Sequence, residues 1–191
     1  AFHNAGIAVI MDVVYNHTAG TGKGSIYDMT VPKYFYRMDS QGNYSNGSGC
    51  GNETASEHAM VRKYMIDSLK HWMNDYHING FRFDLMGLHD KETMKEIYDE
   101  LYKIDKNVLV YGEPWTGDGS KKDDRAICAG TSSPGYGYGA FDDDFRDAIK
   151  GGEYGGFQIG QVQSANSDSG IIKGLLGEAG KNNRNTTGIP G

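Results

Sequence analysis

From Ile7 to Tyr15 the chain is apolar at every position but Asp12, the pattern of a parallel strand covered on both faces. Gly6 stands just before it as the left-handed cap of a short helical tail. From Asn16 to about Thr54 the periodicity dissolves into Gly, Ser, Asn and aromatic residues, and only Val31 to Arg37 reads as a short strand. Structureless stretches of that length are uncommon inside compact domains and are usually functional. Residues 57–76 then show Val61, Met65, Leu69, Trp72 and Tyr76 every three to four positions, which predicts an amphipathic helix. Thr54 and Glu57 are placed to form its capping box, and Asn79-Gly80 to stop it.

Residues 81–86 form the second predicted strand. Asp90 opens a second helix with the stripe Met94, Ile97, Tyr98, Leu101 and Ile104, and residues 108–111 form a third strand. Beyond Trp115 a Gly, Ser and Asp-rich loop runs to about Tyr138. It leads to a short fourth strand at Ala140-Phe141 and a helix over Phe145–Lys150, and a last apolar patch lies at Ile171–Leu176. No internal repeat interrupts this order. A strand, a long insertion, then alternating helices and strands call for an α/β fold with a parallel sheet and right-handed crossovers. A (β/α)8 barrel of this kind needs about 250 residues. The chain is therefore expected to be a partial TIM barrel, roughly its strands 3 to 6, with one catalytic domain over residues 1–191 and a loop insertion at 17–54.

Composition narrows the functional classes. With 38% apolar and 12% aromatic residues the chain can build a real core, and its net charge of −6 offers no basic stripe for nucleic acid. No apolar run approaches the roughly 18 residues of a membrane span. Cys50 and Cys128 follow no metal or redox spacing and read as two unpaired thiols, though a disulfide between them depends on geometry alone.

The chemistry gathers where strands end. Asp84 closes Gly-Phe-Arg-Phe-Asp and Glu113 closes Val-Tyr-Gly-Glu, separated by one helical pattern. Neighbouring parallel strands lie about 4.8 Å apart, so two such acids can face each other at the about 5–5.5 Å expected of a retaining glycosidase. Alternation puts Arg82 beside Asp84 on one face, where a guanidinium favours the ionised acid, and sends Phe81 and Phe83 to the core. Asp12 shares a face with Val14 and Asn16 and is expected to be a hydrogen-bonding support. His17 ends the first strand, placed to donate to a substrate hydroxyl, and Trp115 offers a flat face to a sugar ring. His89, four residues past a strand end, is a further candidate that could equally serve the helix after Asp90.

Asp12-Val-Val-Tyr-Asn-His17, Gly80-Phe-Arg-Phe-Asp-Leu-Met86 and Tyr111-Gly-Glu-Pro-Trp115 resemble, in order, the first three of four hallmark segments of the α-amylase superfamily. The linking text, Tyr44-Ser-Asn-Gly-Ser-Gly-Cys-Gly-Asn-Glu-Thr-Ala-Ser56 and Arg82-Phe-Asp-Leu-Met-Gly-Leu-His89, resembles the type I pullulanases in particular. The resemblance implies a retaining glycoside hydrolase that cleaves α-1,6-glucosidic bonds in pullulan, amylopectin or glycogen. Asp84 would be its nucleophile and Glu113 its general acid/base. Arg82, His17, Trp115, Tyr15, Asn16 and His89 would be its substrate-binding and orienting residues.

The fourth hallmark and the upstream Tyr-Asn-Trp-Gly-Tyr motif do not occur in this sequence, so it is expected to be an internal piece of a larger enzyme and inactive by itself. No cofactor is required, and a calcium ion in the loop after His17 is compatible with its Asp and Asn oxygens. The export signal of such an enzyme would lie elsewhere, which leaves secreted and cytoplasmic locations both open. Three other readings remain: an α-1,4-cleaving hydrolase, a metal-dependent hydrolase using Asp12, His17, Asp84 and Glu113, and a carbohydrate-binding piece without catalysis.

Overall fold

The computed structural model describes residues 1–118, 136–152, 159–162, 171–172 and 174–175. Four strands, β1 (Ile10–Val13), β2 (Gly80–Phe83), β3 (Leu109–Gly112) and β4 (Gly139–Ala140), form one parallel sheet in chain order. The chain is an α/β protein. The first two strands are shorter than their apolar runs, because only four residues of each pair in register, and the third keeps its predicted length but lies one residue later. The fourth starts one residue earlier than the sequence pattern predicts.

Alternation divides the sheet into two unlike faces. Val13, Phe81, Phe83 and Val110 point outward and are buried beneath α2 (Ala59–Tyr76) and α3 (Lys91–Ile104). Ile10, Gly80 and Leu109 make one row of the opposite face, and Asp12, Arg82 and Tyr111 make the next. That face is open among the described residues, with Leu109 53% exposed. Gly80 is required by its row: a Cβ there would stand 2.5 Å from the Leu109 carbonyl oxygen and 2.8 Å from Ile10.

α2 packs through Val61, Met65, Ile66, Leu69 and Met73. The buried stripe thus bends away from the predicted Trp72 and Tyr76, which lie half-buried and exposed. The predicted capping box does not form. Thr54 donates instead to the Tyr15 carbonyl (2.6 Å), Glu57 binds Arg37, and His58 occupies the N-cap with its ring turned to the Tyr34 carbonyl rather than to the helix amides. His77, not Asn79-Gly80, ends the helix by turning left-handed (φ 57°). The Asn79 side chain is committed elsewhere, accepting from the Val9 amide at 2.8 Å and so pinning the start of β1 to the start of β2.

α3 follows its pattern more closely. Asp90 caps it by accepting from the Thr93 amide at 2.9 Å, and Met94, Ile97 and Leu101 are fully buried, while Ile104 at its end is exposed. α4 spans Asp143–Lys150, capped by Asp142, and opens two residues before the predicted start. Gly6 is the left-handed cap expected of it (φ 72°), closing a single turn at His3–Ala5.

The insertion is folded rather than structureless. α1 (Ile26–Thr30) is capped by Ser25, and buried Asp28 accepts from the Gly22 and Lys33 amides and the Tyr44 hydroxyl at 2.6–2.7 Å. The strand expected over 31–37 reduces to one isolated antiparallel bridge, Tyr36 with Thr54, and a second, Met38 with Tyr44, follows just beyond it. Among the described residues no helix is long and apolar enough to cross a membrane. Cys50 is exposed, and Cys128, with any pairing between the two, lies outside the described residues. So do Lys173 and Leu176 of the last apolar patch, whose Ile172 and Leu175 are exposed.

Leu69 is fully buried where α2 meets the sheet. Leu69→Ala is expected to cost about 2–5 kcal/mol through lost transfer energy and the cavity left behind. Denaturant unfolding of the full-length protein measures this, and a cost below about 1 kcal/mol would contradict the packing.

Candidate active site

The C-terminal ends of β1, β2 and β3 converge on one guanidinium. Arg82, in β2, donates from Nη1 to Asp12 Oδ1 (2.9 Å) and Asp84 Oδ1 (3.3 Å), and from Nη2 to Glu113 Oε1 (2.5 Å). Asp12 and Arg82 are register partners, so the first pair follows directly from the ladder. Asp84 and Glu113 each lie one residue past a strand, and both backbones continue the ladder by bonding the neighbouring strand: Asp84 N to Val13 O at 3.0 Å and Glu113 N to Phe83 O at 3.1 Å. Their side chains therefore keep the parity of Arg82 and rise from the same face.

Three carboxylates around one cation leave a net negative rim. Partial burial opposes the charge on Arg82, yet the Asp12 hydrogen bond and the charges of Glu113 and Asp12 outweigh it and raise its pKa. Phe141, just past β4, lies beneath the guanidinium, with Arg82 Cζ 5.7 Å from its ring centroid. The cation is fixed on every side the sheet offers.

The remaining oxygens are also held. Asn16, fully buried, donates from Nδ2 to Asp84 Oδ2 (3.0 Å) and to the Asp84 carbonyl (2.7 Å). Glu113 Oε2 accepts from the Leu85 amide at 2.9 Å. That amide points at Glu113 because Leu85 adopts a left-handed conformation (φ 41°), which non-glycine residues rarely take. Gly87 N–H then donates to the Glu113 carbonyl at 2.8 Å. A Cβ on Gly87 would come 2.5 Å from the Trp115 carbonyl oxygen, so the turn after Asp84 and the turn after Glu113 are in backbone contact.

The eight residues singled out in the sequence fall into two groups. Asp84, Glu113, Arg82 and Asn16 come together as described. His17 adjoins them through its Nδ1, 2.6 Å from Asn16 Oδ1, and half-buried Trp115 stacks over Phe141 at 6.5 Å. Two are placed apart from this group. Tyr15 turns to the helix side, packs near Phe83 and Tyr64, and bonds Ser68 of α2 at 2.8 Å, because its parity is that of Val13. His89 is fully buried edge-on to Phe83, and neither ring nitrogen has a hydrogen-bond partner among the described residues.

Asp12 does find the expected partner, but with its side chain 65% exposed it is not enclosed. Phe141 and Leu85 were missed. Phe141 obeys the same rule that picked out Trp115, an aromatic just past a strand end; nothing in the sequence signals the left-handed Leu85. Among the described residues no group of three or more His, Cys, Asp or Glu is arranged to hold a metal, and Asp12, Asp84 and Glu113 all meet the Arg82 cation instead.

With this geometry in view, comparisons with known proteins become informative. No family model matches the chain. A pullulanase of Bacillus subtilis (strain 168) is 36% identical over 184 residues, covering 93% of this chain and 25% of the relative. The structure of the pullulanase from Bacillus acidopullulyticus superimposes with a TM-score of 0.84 at 44% identity, covering 92% of this chain and 22% of that one. The type I pullulanase of B. subtilis complexed with maltose gives 0.85 at 34% identity, covering 94% and 25%. This chain is similar to pullulanases along nine-tenths of its length and spans a quarter or less of theirs.

Burial, and then the Arg37 charge, push the His89 pKa down from 6.5 to about 4. The folded state thus holds His89 neutral where the unfolded chain takes a proton. Stability from this group is intact above pH 6.5 and is lost as pH falls toward 4, by up to about 3 kcal/mol. Thermal melts between pH 7 and 4.5 should fall less steeply for His89→Leu than for the wild type; identical slopes would contradict the assignment.

Proposed function

We infer that this chain is a stretch of a pullulanase and carries the two acids of a retaining α-1,6-glucosidase. The observation that bears most weight is the pair Asp84 and Glu113, raised from the ends of neighbouring parallel strands and gripped by the same guanidinium. Maltose bound to the B. subtilis enzyme supports an α-glucan as the ligand class. Pullulan, amylopectin and glycogen are the substrates that match it.

The sheet itself favours part of a (β/α)8 barrel. Its outer face is buried under helices, whereas its inner face carries half-buried Ile10 and leaves Val14 and Leu109 each 53% exposed. Apolar side chains in register on such a face are what further strands of a barrel would cover. The site residues sit at the C-terminal ends of the strands, where barrels of this kind place their chemistry.

In the reaction Asp84 attacks the anomeric carbon and Glu113 protonates the departing glycosidic oxygen, so that a C–O bond to Asp84 forms as the bond to the leaving sugar breaks. Glu113 then takes a proton from water, and the resulting hydroxide displaces Asp84 with overall retention. Arg82 and Asn16 hold the nucleophile in line. For proton delivery, the glycosidic oxygen must replace one of the two donors that now occupy Glu113. His17 and Trp115 border the sugar, the first by a hydrogen bond and the second by its ring face. The cation amid the acids favours this scheme over one in which a divalent ion is gathered there.

In the full-length protein, proton NMR of freshly released ends should show the α-anomer first, and Asp84→Ala should lower pullulan hydrolysis on the order of 10⁴-fold while leaving glucan binding measurable. Initial release of the β-anomer, or hydrolysis surviving in the variant, would overturn the reading.

A further inference from the structure

Away from the acids, a second arginine organises the insertion. All five N–H donors of Arg37 are engaged. Nε and Nη2 fork onto Glu57 at 3.0 and 2.7 Å, Nη1 binds Glu53 Oε1 at 2.9 Å, and both terminal nitrogens reach the Leu88 carbonyl at 3.2 Å. Glu53 is wholly buried, and its other oxygen accepts from the Gly47 amide at 2.5 Å. A short chain of bonds runs from this hub to each side of Glu113.

On one side Leu88 ends the turn that begins at Leu85, closed by Leu88 N–H on the Leu85 carbonyl at 3.0 Å. That turn delivers the Leu85 amide to Glu113 Oε2 and the Gly87 amide to the Glu113 carbonyl. On the other side the Gly47 carbonyl accepts from the Gly117 and Asp118 amides at 2.8 and 3.2 Å. Contact there is close: a Cβ on Gly117 would lie 2.0 Å from the Ser48 carbonyl oxygen. Glu113 and Trp115 therefore lie on a backbone segment clamped between two turns, both of which end on the Arg37–Glu53 pair.

We propose that Arg37 is a positioning residue for Glu113, and that the insertion serves proton delivery as well as binding. A planar fork with five donors grips Glu57 bidentately while also meeting Glu53 and the Leu88 carbonyl; lysine keeps the charge but has three donors and loses that geometry. The inference rests on Glu113 as acid/base, so the test separates the two ideas. The full-length wild type and Arg37→Lys are compared on pullulan, whose sugar leaving group needs protonation, and on an α-maltosyl fluoride, whose fluoride leaves with far less help. A fluorosugar that traps the nucleophile counts active sites, so that turnover is expressed per competent molecule.

Arg37→Lys should lose on the order of 10- to 100-fold in kcat on pullulan, with KM little changed, and distinctly less on the fluoride. Glu57→Gln, which keeps the buried Arg37–Glu53 pair, should show the same order of preference at smaller amplitude if the lysine variant folds poorly. Equal losses on both substrates, or none, would overturn the role of Arg37 while leaving the two acids in place. A wild type inert on both substrates would remove the acid/base assignment and this inference with it.

Discussion

The guanidinium of Arg82 is what allows the rim of this sheet to exist. Asp12, Asp84 and Glu113 rise from three adjacent strands onto one face, and strands this close give like charges no room to separate. A cation in the middle strand turns that repulsion into three charge-assisted bonds. Arginine suits the place because its planar fork serves carboxylates on both flanks at once, which an ammonium on a flexible stem does not. Phe141, just past β4, supports the cation, so residues in or just beyond all four strands contribute to fixing one charge.

Around that charge the two acids are treated differently. Asp84 is held by side chains, from Arg82 and the buried Asn16. Glu113 is held partly by backbone, through the amide that left-handed Leu85 turns toward it. Backbone conformation that strained persists where surrounding contacts enforce it. The turn meets Trp115 at Gly87 and is tied to Arg37 through Leu88. Rigid strands thus set the base of the site, while packed loops set the last few tenths of an ångström. The long insertion fits this division: it is built of capped turns, buried Asp28 and the Arg37 network rather than loose chain.

Much of this was legible along the chain. The parallel order, the α3 stripe, the Asp90 cap and the shared face of Arg82 and Asp84 all follow from periodicity and local chemistry, and the structure reproduces them. Failures came where one residue could serve two partners. Thr54 and Glu57 carried a capping signature but were claimed by Tyr15 and Arg37. Tyr15 lay in a conspicuous segment, yet strand parity sent it to the helices. His89 looked like a polar residue near a strand end and became core.

Spacing and residue type by themselves determined the sheet strands and the two long helices, the parity of the strand side chains, and that Asp84 and Glu113 belong to one rim, because these depend on chain geometry of period 2 or 3.6. Only the tertiary structure decided that one guanidinium binds three acids, that Asn16 locks Asp84, and that Arg37 reaches the turn behind Glu113. Apart from Arg82 with Asp84, those contacts join residues 31 to 70 positions apart, and no local pattern encodes which distant donor wins a given acceptor. Packing makes that choice, after the elements have found one another.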